Sequence, residues 1–336
     1  MADVGARCGV SIKTVSRVVN GEAGVSTKTA LRIQQMIVEL GFQRHEGASL
    51  LRSSGRSETV GLIVEDLANP FYSQLAAGIE REVRLRQHLL VSASSERSSE
   101  DESQLIEALL ARRVTGLIIV PIGAEPTDAL RAACLEVPVV CLDRPVSGLD
   151  ADAVLSDNQG GMRSAVEHLA AHRHERLAFL GDDASIWTAQ RRAAAFREAV
   201  ASLGLPGPIH CELGPWTDSS LADRLVGWTR GRLPVTALVT GNNRVTLSAL
   251  RAMQDRDLDL GLVGYDDFDL SDVVSPPVTV VHQDPVGLGE RAAQQVFSRL
   301  SSGRATPMTV VVPTRLVVRG SGRLIAPKGL RAQATH

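Results

Sequence analysis

The chain has 336 residues, with 36 lysines and arginines against 38 aspartates and glutamates, 44% hydrophobic residues and only 3% aromatic ones. That length points to two or three domains with a sizeable core. No run reaches the roughly 18 consecutive apolar residues that span a bilayer. The opening MADVGARCGV has no basic start leading into an apolar block, so neither a membrane nor a secreted protein is expected. Cys8, Cys134, Cys141 and Cys211 are scattered without a C-x-x-C pair, which argues against a zinc site or a disulfide framework and fits a reducing cytosol.

The small net charge hides an asymmetry. Residues 1–57 carry eight basic and four acidic side chains, a net of +4, against −6 for the remainder. A basic head on an acidic body raises the expectation of a nucleic-acid partner, although a solvated basic face alone would look the same.

In the head, Gly9-Val10-Ser11 breaks a first helical pattern, and Ser11 is placed to cap a second helix over Ile12 to Val19. At 100° per residue, Val15, Val18 and Val19 cluster on one side of that helix, and Lys13, Arg17 and Asn20 on the other. One side packs and the other is free to read DNA. A third helix follows Ser26, with Ala30, Ile33, Ile37 and Leu40 at core spacing and Gly41 as its stop. Three short helices on a small core make a helix-turn-helix plan. The stretch from Arg44 to Ser57, rich in Ser, Gly and Arg, reads as a linker.

Beyond it, apolar runs of strand length alternate with amphipathic helical stretches. The candidate strands are Val60–Val64, Leu89–Ala93, Gly116–Val120, Val137–Leu142, Ala153–Leu155, Leu177–Leu180, Ala237–Thr240, Leu262–Tyr265 and Val278–Val281. Continuous Val/Ile/Leu runs separated by helices imply parallel strands covered on both faces. This is a doubly wound α/β body, too long for one open sheet, so two such subdomains with a cleft between them are expected.

The run D-V-G-A-R-C-G-V-S-I-K-T-V-S-R-V-V-N-G, from Asp3 to Gly21, followed by V-S-T-K-T-A-L-R-I and L-G-F, resembles the head of the LacI/GalR (lactose-repressor) family. The resemblance implies that Ile12, Lys13 and Arg17 read major-groove base edges, that Ser11, Thr14, Ser16, Ser26 and Thr29 offer hydroxyls to phosphates, and that Asn20 shares the DNA-facing side. Arginine can chelate guanine O6 and N7; Lys13 stays open between a base and a phosphate, and Ile12 between core packing and a thymine methyl. Two departures stand out. Met1 falls where the family has an apolar residue preceded by a Thr cap, so a start upstream of Met1 stays open, and Gly5 replaces the usual Ala at a cost of about 1 kcal/mol if exposed. The linker resembles the family hinge at Ala48, Leu51 and Arg52, which implies Leu51 as a minor-groove wedge; a flexible tether stays open because Gly47 opposes helix formation.

The resemblance continues through the body, which is similar to the family's effector domain and more remotely to periplasmic sugar-binding proteins. It implies a head over residues 1–43 and a hinge over 44–57. The effector subdomains are 58–157 with 285–313, and 158–284 with 314–330. Six motifs stand at expected strand ends, where open α/β sheets bind ligands: N-P-F-Y (69–72), L-D-R (142–144), T-A-Q-R-R-A-A-A-F (188–196), T-G-N-N (240–243), G-Y-D-D (264–267) and P-P-V-T-V-V-H-Q (276–283). Phe71, Tyr72, Trp216 and Tyr265 map near the cleft, where flat faces can stack on a sugar ring, and planar polar groups there can chelate adjacent hydroxyls. The resemblance implies that Asn69, Asp143, Arg144, Arg192, Asn242, Asp266 and Gln283 line the site, with Tyr72 and Thr188 beside them and Phe71 and Trp216 sandwiching the ring. Some of these carboxylate and arginine pairs could instead only tie loops together. Ile186 stands where purine-responsive relatives carry arginine, which disfavours a purine.

His168, His172 and His174 lack a completing carboxylate or cysteine cluster, so no metal is expected. The stretch Gly287–Ala292 mimics a dinucleotide fingerprint, but no acidic residue follows Glu290 to hold a ribose; no cofactor is expected. No nucleophile, base or metal constellation argues for catalysis. A solute-binding protein and a Rossmann-like enzyme are the competing readings. The sequence favours a homodimeric, ligand-responsive regulator, most simply a repressor of sugar-related genes, acting on palindromic operator DNA.

Overall fold

The computed structural model describes residues 1–19, 22–40, 57–207, 209–303 and 306–323. The expectations for Asn20, Gly41, the hinge with Leu51, and the tail beyond Arg323 lie outside these residues. The chain forms two compact units, Met1–Arg56 and Ser57–His336.

In the first unit, α1 (Ala2–Cys8), α2 (Ile12–Val19) and α3 (Thr27–Glu39) close on a core of Val4, Cys8, Val15 and Ile33. Gly9 ends α1 in the left-handed region at φ 60°, which is why glycine suits the turn. The Ser11 hydroxyl accepts the Thr14 N–H at 3.2 Å and opens α2; Ser26 accepts the Thr29 N–H at 3.2 Å and opens α3. Val15 is fully buried and Val18 and Val19 pack beside it, as the periodicity predicts. Two expectations need correction. Leu40 is 37% exposed and Ala30 lies outside the core cluster, while Met36 and Ile37 pack against it. Gly5 is buried, and a Cβ there would stand 2.9 Å from the Val10 carbonyl oxygen, so the missing methyl lets α1 meet the turn.

The second unit holds two six-stranded sheets. The first contains β1 (Thr59–Val64), β2 (Leu89–Ser94), β3 (Gly116–Ile119), β4 (Val139–Leu142), β5 (Asp152–Ser156) and β11 (Thr309–Val312), in the order β11-β5-β4-β3-β1-β2. The second contains β6 (Leu177–Gly181), β7 (His210–Leu213), β8 (Ala237–Thr240), β9 (Gly261–Tyr265), β10 (Thr279–His282) and β12 (Arg315–Val317), in the order β12-β10-β9-β8-β6-β7. The two orders repeat one topology, and all pairings are parallel except β10 with β12. The helices are α4 (Pro70–Leu85), α5 (Ser99–Ala111), α6 (Asp128–Glu136), α7 (Asn158–Ala171), α8 (Trp187–Ser202), α9 (Asp218–Thr229), α10 (Asn243–Asp255) and α11 (Pro285–Ser302).

Central strands are buried throughout because Val, Leu and Ile occupy both faces. Strands β7, β11 and β12, absent from the sequence reading, are edge strands with half-exposed residues; β7, His-Cys-Glu-Leu, lacks the continuous apolar signal, whereas β11, Thr-Val-Val-Val, carries it and was missed. The chain crosses between sheets after β5, after β10 and between β11 and β12. Helix α11 returns to the first sheet by packing on α4, where Gly78 and Gly289 let the two backbones approach. In the dinucleotide-like stretch Gly289 therefore serves helix packing, while the Gly287 N–H donates to the Asp284 cap at 3.1 Å.

Candidate functional site

In both sheets the strand order reverses beside the first-formed strand, between β1 and β3 and between β6 and β8. Loops leaving the carboxyl ends of these strands diverge there and leave a crevice. A small cavity lies where the two sets of loops meet. The first sheet supplies Glu65, Asn69, Phe71, Tyr72, Arg97, Asp143 and Arg144; the second supplies Asp182, Thr188, Arg192, Asn242, Arg244, Asp266 and Gln283. Ten of the eleven expected effector residues are thus brought together. The exception is Trp216: its indole N–H donates to the Gly181 carbonyl at 2.7 Å, its ring packs on the second core, and it does not line the cavity. The expected sandwich of Phe71 and Trp216 is not formed in this arrangement.

Local structure fixes each side chain. Asn69 caps α4 by accepting the Phe71 N–H at 3.1 Å, and Asn242 caps α10 by accepting the Val245 N–H at 2.9 Å. Asp143 and Asp266 stand just past β4 and β9 with φ of 67° and 66°. This left-handed turn is a conformation aspartate tolerates better than most residues. Arg192 reaches from α8 into the centre. It donates to the Asn158 side-chain oxygen at 2.7 Å, the Gly241 carbonyl at 2.7 Å and Gln283 Oε1 at 3.2 Å. Its guanidinium also lies 3.8 Å above the Tyr265 ring. Tyr265 is therefore a platform beneath the site and not a stacking face within it.

Glu65 joins the two halves of the first sheet's contribution. It accepts from Arg144, from Arg97 and from the Tyr72 hydroxyl at 3.2 Å. Burial alone would raise its carboxyl, but the two guanidiniums outweigh that and hold it below the ordinary glutamate value. Asp143 and Asp266 show the opposite balance. Burial pushes both up, and the neighbouring arginines, Arg144 and Arg192 for Asp143 and Arg192 for Asp266, offset it only in part. Asp143 Oδ1 and Arg144 Nε are buried without a hydrogen-bond partner, an acceptor and a donor on adjacent residues. Above them, Arg97 binds Asp182 in bidentate fashion at 2.9 and 3.4 Å, Asn243 donates to Asn69 at 2.8 Å, and Arg244 meets Asp66 at 3.1 Å. Glu65, Arg97 and Asp182 were missed in the sequence. Each stands one to three residues past a strand end, so that positional rule applied without regard to motif would have found them.

In the head, Ile12 is 52% exposed, which decides against core packing, and Lys13 and Arg17 are exposed one helical turn apart. Among the described residues Arg17 forms a long surface pair with Glu22, at 4.0 Å. The hydroxyls of Ser11 and Thr14 pair at 2.9 Å at the start of α2, and those of Ser26 and Thr29 at 2.8 Å at the start of α3; Ser16 is half-buried. Helix starts with hydroxyls are where phosphates are received.

The histidines are engaged locally: His172 Nδ1 meets the His168 carbonyl at 2.8 Å and His174 Nδ1 the Thr236 hydroxyl at 3.0 Å. Among the described residues no group of three or more His, Cys, Asp or Glu side chains could hold a metal, and no helix is long and apolar enough to cross a membrane.

Residues 1–45 match the family model for bacterial regulatory proteins of the lacI family, and residues 166–322 match the periplasmic binding protein-like domain. The lactose operon repressor of Escherichia coli K12 is 32% identical over 327 residues, covering 94% of this chain and 89% of the repressor. The ribose operon repressor of the same strain is 28% identical, covering 96% and 99%. A crystal structure of the lac repressor dimer bound to operator and the anti-inducer ONPF superposes with a TM-score of 0.85 at 30% identity, covering 95% of this chain and 98% of the other. The exposed reading helix, the doubly wound body and this full-length similarity have one reading: the chain belongs to the lacI family of bacterial regulatory proteins, DNA-binding transcriptional regulators and not enzymes.

Proposed function

We propose that this protein is a repressor of sugar-related genes whose operator affinity is set by a small polar, sugar-like effector in the cavity between the two sheets. The observation that carries the reading is the convergence of planar polar side chains from seven strand ends on one small cavity, with Asp143 Oδ1 and Arg144 Nε buried and unpartnered. Vicinal hydroxyls donate and accept at such spacings, and Phe71 and Ile186 offer apolar surface for the carbon face of a ring. The names of its relatives, the lactose and ribose operon repressors, agree with a sugar effector.

DNA recognition is assigned to α2, with Arg17 chelating guanine, Ile12 and Lys13 beside it, Asn20 on the same side, and the hydroxyls of Ser11, Thr14, Ser16, Ser26 and Thr29 on phosphates. Leu51 is assigned as the minor-groove wedge of a homodimer on a palindromic operator. The effector prefers one arrangement of the sheets and so changes operator affinity by its differential binding energy, typically about 1–3 kcal/mol. Fluorescence anisotropy with palindromic duplexes, in a salt series with and without pentoses and hexoses, tests this. Salt-sensitive, sequence-preferring binding that a sugar shifts supports the reading; binding indifferent to sequence and to every sugar rejects it.

A further inference from the structure

The charges around the cavity cancel. Four carboxylates, Glu65, Asp143, Asp182 and Asp266, face four guanidiniums. Arg144 is bound to Glu65 and lies 3.6 Å from Asp143, and Arg97 is shared between Glu65 and Asp182. Arg244 is turned to Asp66, and Arg192 gives three of its five N–H groups to neutral oxygens while its charge faces Asp143 and Asp266. With as many lining carboxylates as guanidiniums, the cavity has no surplus positive charge for an incoming anion. The groups still unpartnered, Asp143 Oδ1 and Arg144 Nε, need one donor and one acceptor. A hydroxyl supplies both, whereas an ionised phosphate or carboxylate only accepts and would meet a buried carboxylate.

Resting on the effector reading above, we propose that the cavity selects an uncharged polyol over phosphorylated and carboxylated sugars, and that Glu65 is the specificity-determining residue. Glu65 is 3% exposed and binds both Arg144 and Arg97. Removing that one negative charge moves the cavity's balance by one unit toward positive, leaving Arg144 with Asp143 and Arg97 with Asp182 as counter-charges, and so weakens the repulsion that an anion meets. Like-charge contact inside a dry site costs several kcal/mol, enough for discrimination of about 100-fold or more.

The test compares the full-length protein and Glu65→Gln by calorimetric titration with ribose, glucose and galactose and with ribose 5-phosphate, glucose 6-phosphate and gluconate. In the wild type a neutral sugar binds about 100-fold tighter than its anionic counterpart, and in Glu65→Gln that gap narrows by about tenfold or more. A wild type that prefers an anionic sugar, or a gap unchanged in the folded variant, overturns the inference and leaves the effector site standing. A second arm needs no sugar: inorganic phosphate, against chloride at equal ionic strength, raises the melting temperature of Glu65→Gln and not of the wild type. Equal responses overturn the role of Glu65. Where Glu65→Gln does not fold, Asp182→Asn, which releases Arg97 at the more exposed edge, takes its place in both arms. If no sugar of either kind binds, the effector reading falls, and the phosphate arm still decides whether Glu65 excludes anions.

Discussion

Arg192 ties the second sheet's half of the cavity together, and Arg192→Lys separates its charge from its geometry. Lysine keeps the positive charge facing Asp266 and Asp143 but offers one ammonium where three directed bonds to Asn158, Gly241 and Gln283 now converge. Two of the three are lost, and bonds from a charged donor contribute about 1.5–3 kcal/mol each. The flat stacking on Tyr265 also goes, since an ammonium does not spread over a ring as a guanidinium does. Local rearrangement recovers part of this, leaving a net loss of about 3 kcal/mol, which in a domain of this size lowers the melting temperature by about 6–12 °C. Scanning calorimetry of the full-length protein reads that value, and titration with a bound sugar reads an affinity at least about tenfold weaker. A melting temperature within about 1 °C of wild type would refute the energetic reasoning. An unaltered sugar affinity would remove Arg192 from the site.

Asp266 is held above the ordinary aspartate value, chiefly by burial, so its ionisation opposes folding. Its contribution is fully present below the unfolded pKa of about 3.9 and is lost as pH rises through the higher folded value. Asp266→Asn, which cannot ionise, should therefore melt above wild type at pH 7, with the difference shrinking toward pH 4; a difference that widens in acid contradicts the sign. The Tyr265 hydroxyl is buried without a partner, so Tyr265→Phe keeps the platform under Arg192 and should be neutral or stabilising by up to about 2 kcal/mol in denaturant unfolding. Gly5→Ala, which helix propensity alone would favour by about 1 kcal/mol, should instead destabilise the head because its methyl meets the Val10 carbonyl. Weaker operator binding with intact sugar binding is the expected readout, and a tighter-binding variant contradicts it.

The contrast between helix propensity and packing at Gly5 marks where sequence reasoning stops. Period, caps and strand-end position are local properties, so the three head helices and the central strands of both sheets were legible from them, whereas the ten residues found at the cavity were implied by the family resemblance. Glu65 escaped because its significance lies in Arg144 and Arg97, which reach it from other strand ends. The resemblance implied Trp216 as one face of the ring sandwich, yet its indole donates to the Gly181 carbonyl and packs on the second sheet's core. Strand β7, with the sequence His-Cys-Glu-Leu, carries too little apolar signal because an edge strand is only half covered. Leu40 fits the helical spacing of a core position, but it falls on the cap where α3 ends and is left exposed.

Most ties across the cavity are polar, with Trp187 of α8 as an apolar contact on the first sheet's core, whereas the interior of each sheet is apolar and closely packed. Arg97 with Asp182 and Arg244 with Asp66 are partly exposed ion pairs, worth about 0–1 kcal/mol each. The amide contact from Asn243 to Asn69 adds about another 0.5–1.5 kcal/mol. Together these polar joints contribute a few kcal/mol at most, while moving a strand within either sheet would expose a fully buried core. The polar ties are therefore easier to exchange than the packing within either sheet. A ligand that touches Asp143 and Arg144 on one side and Arg192 and Asp266 on the other meets a resistance comparable to the differential affinity of about 1–3 kcal/mol that allosteric ligands supply. A cavity enclosed by one sheet would have to deform a packed core to report its occupancy; one divided between two sheets needs only to exchange weak polar ties for its own.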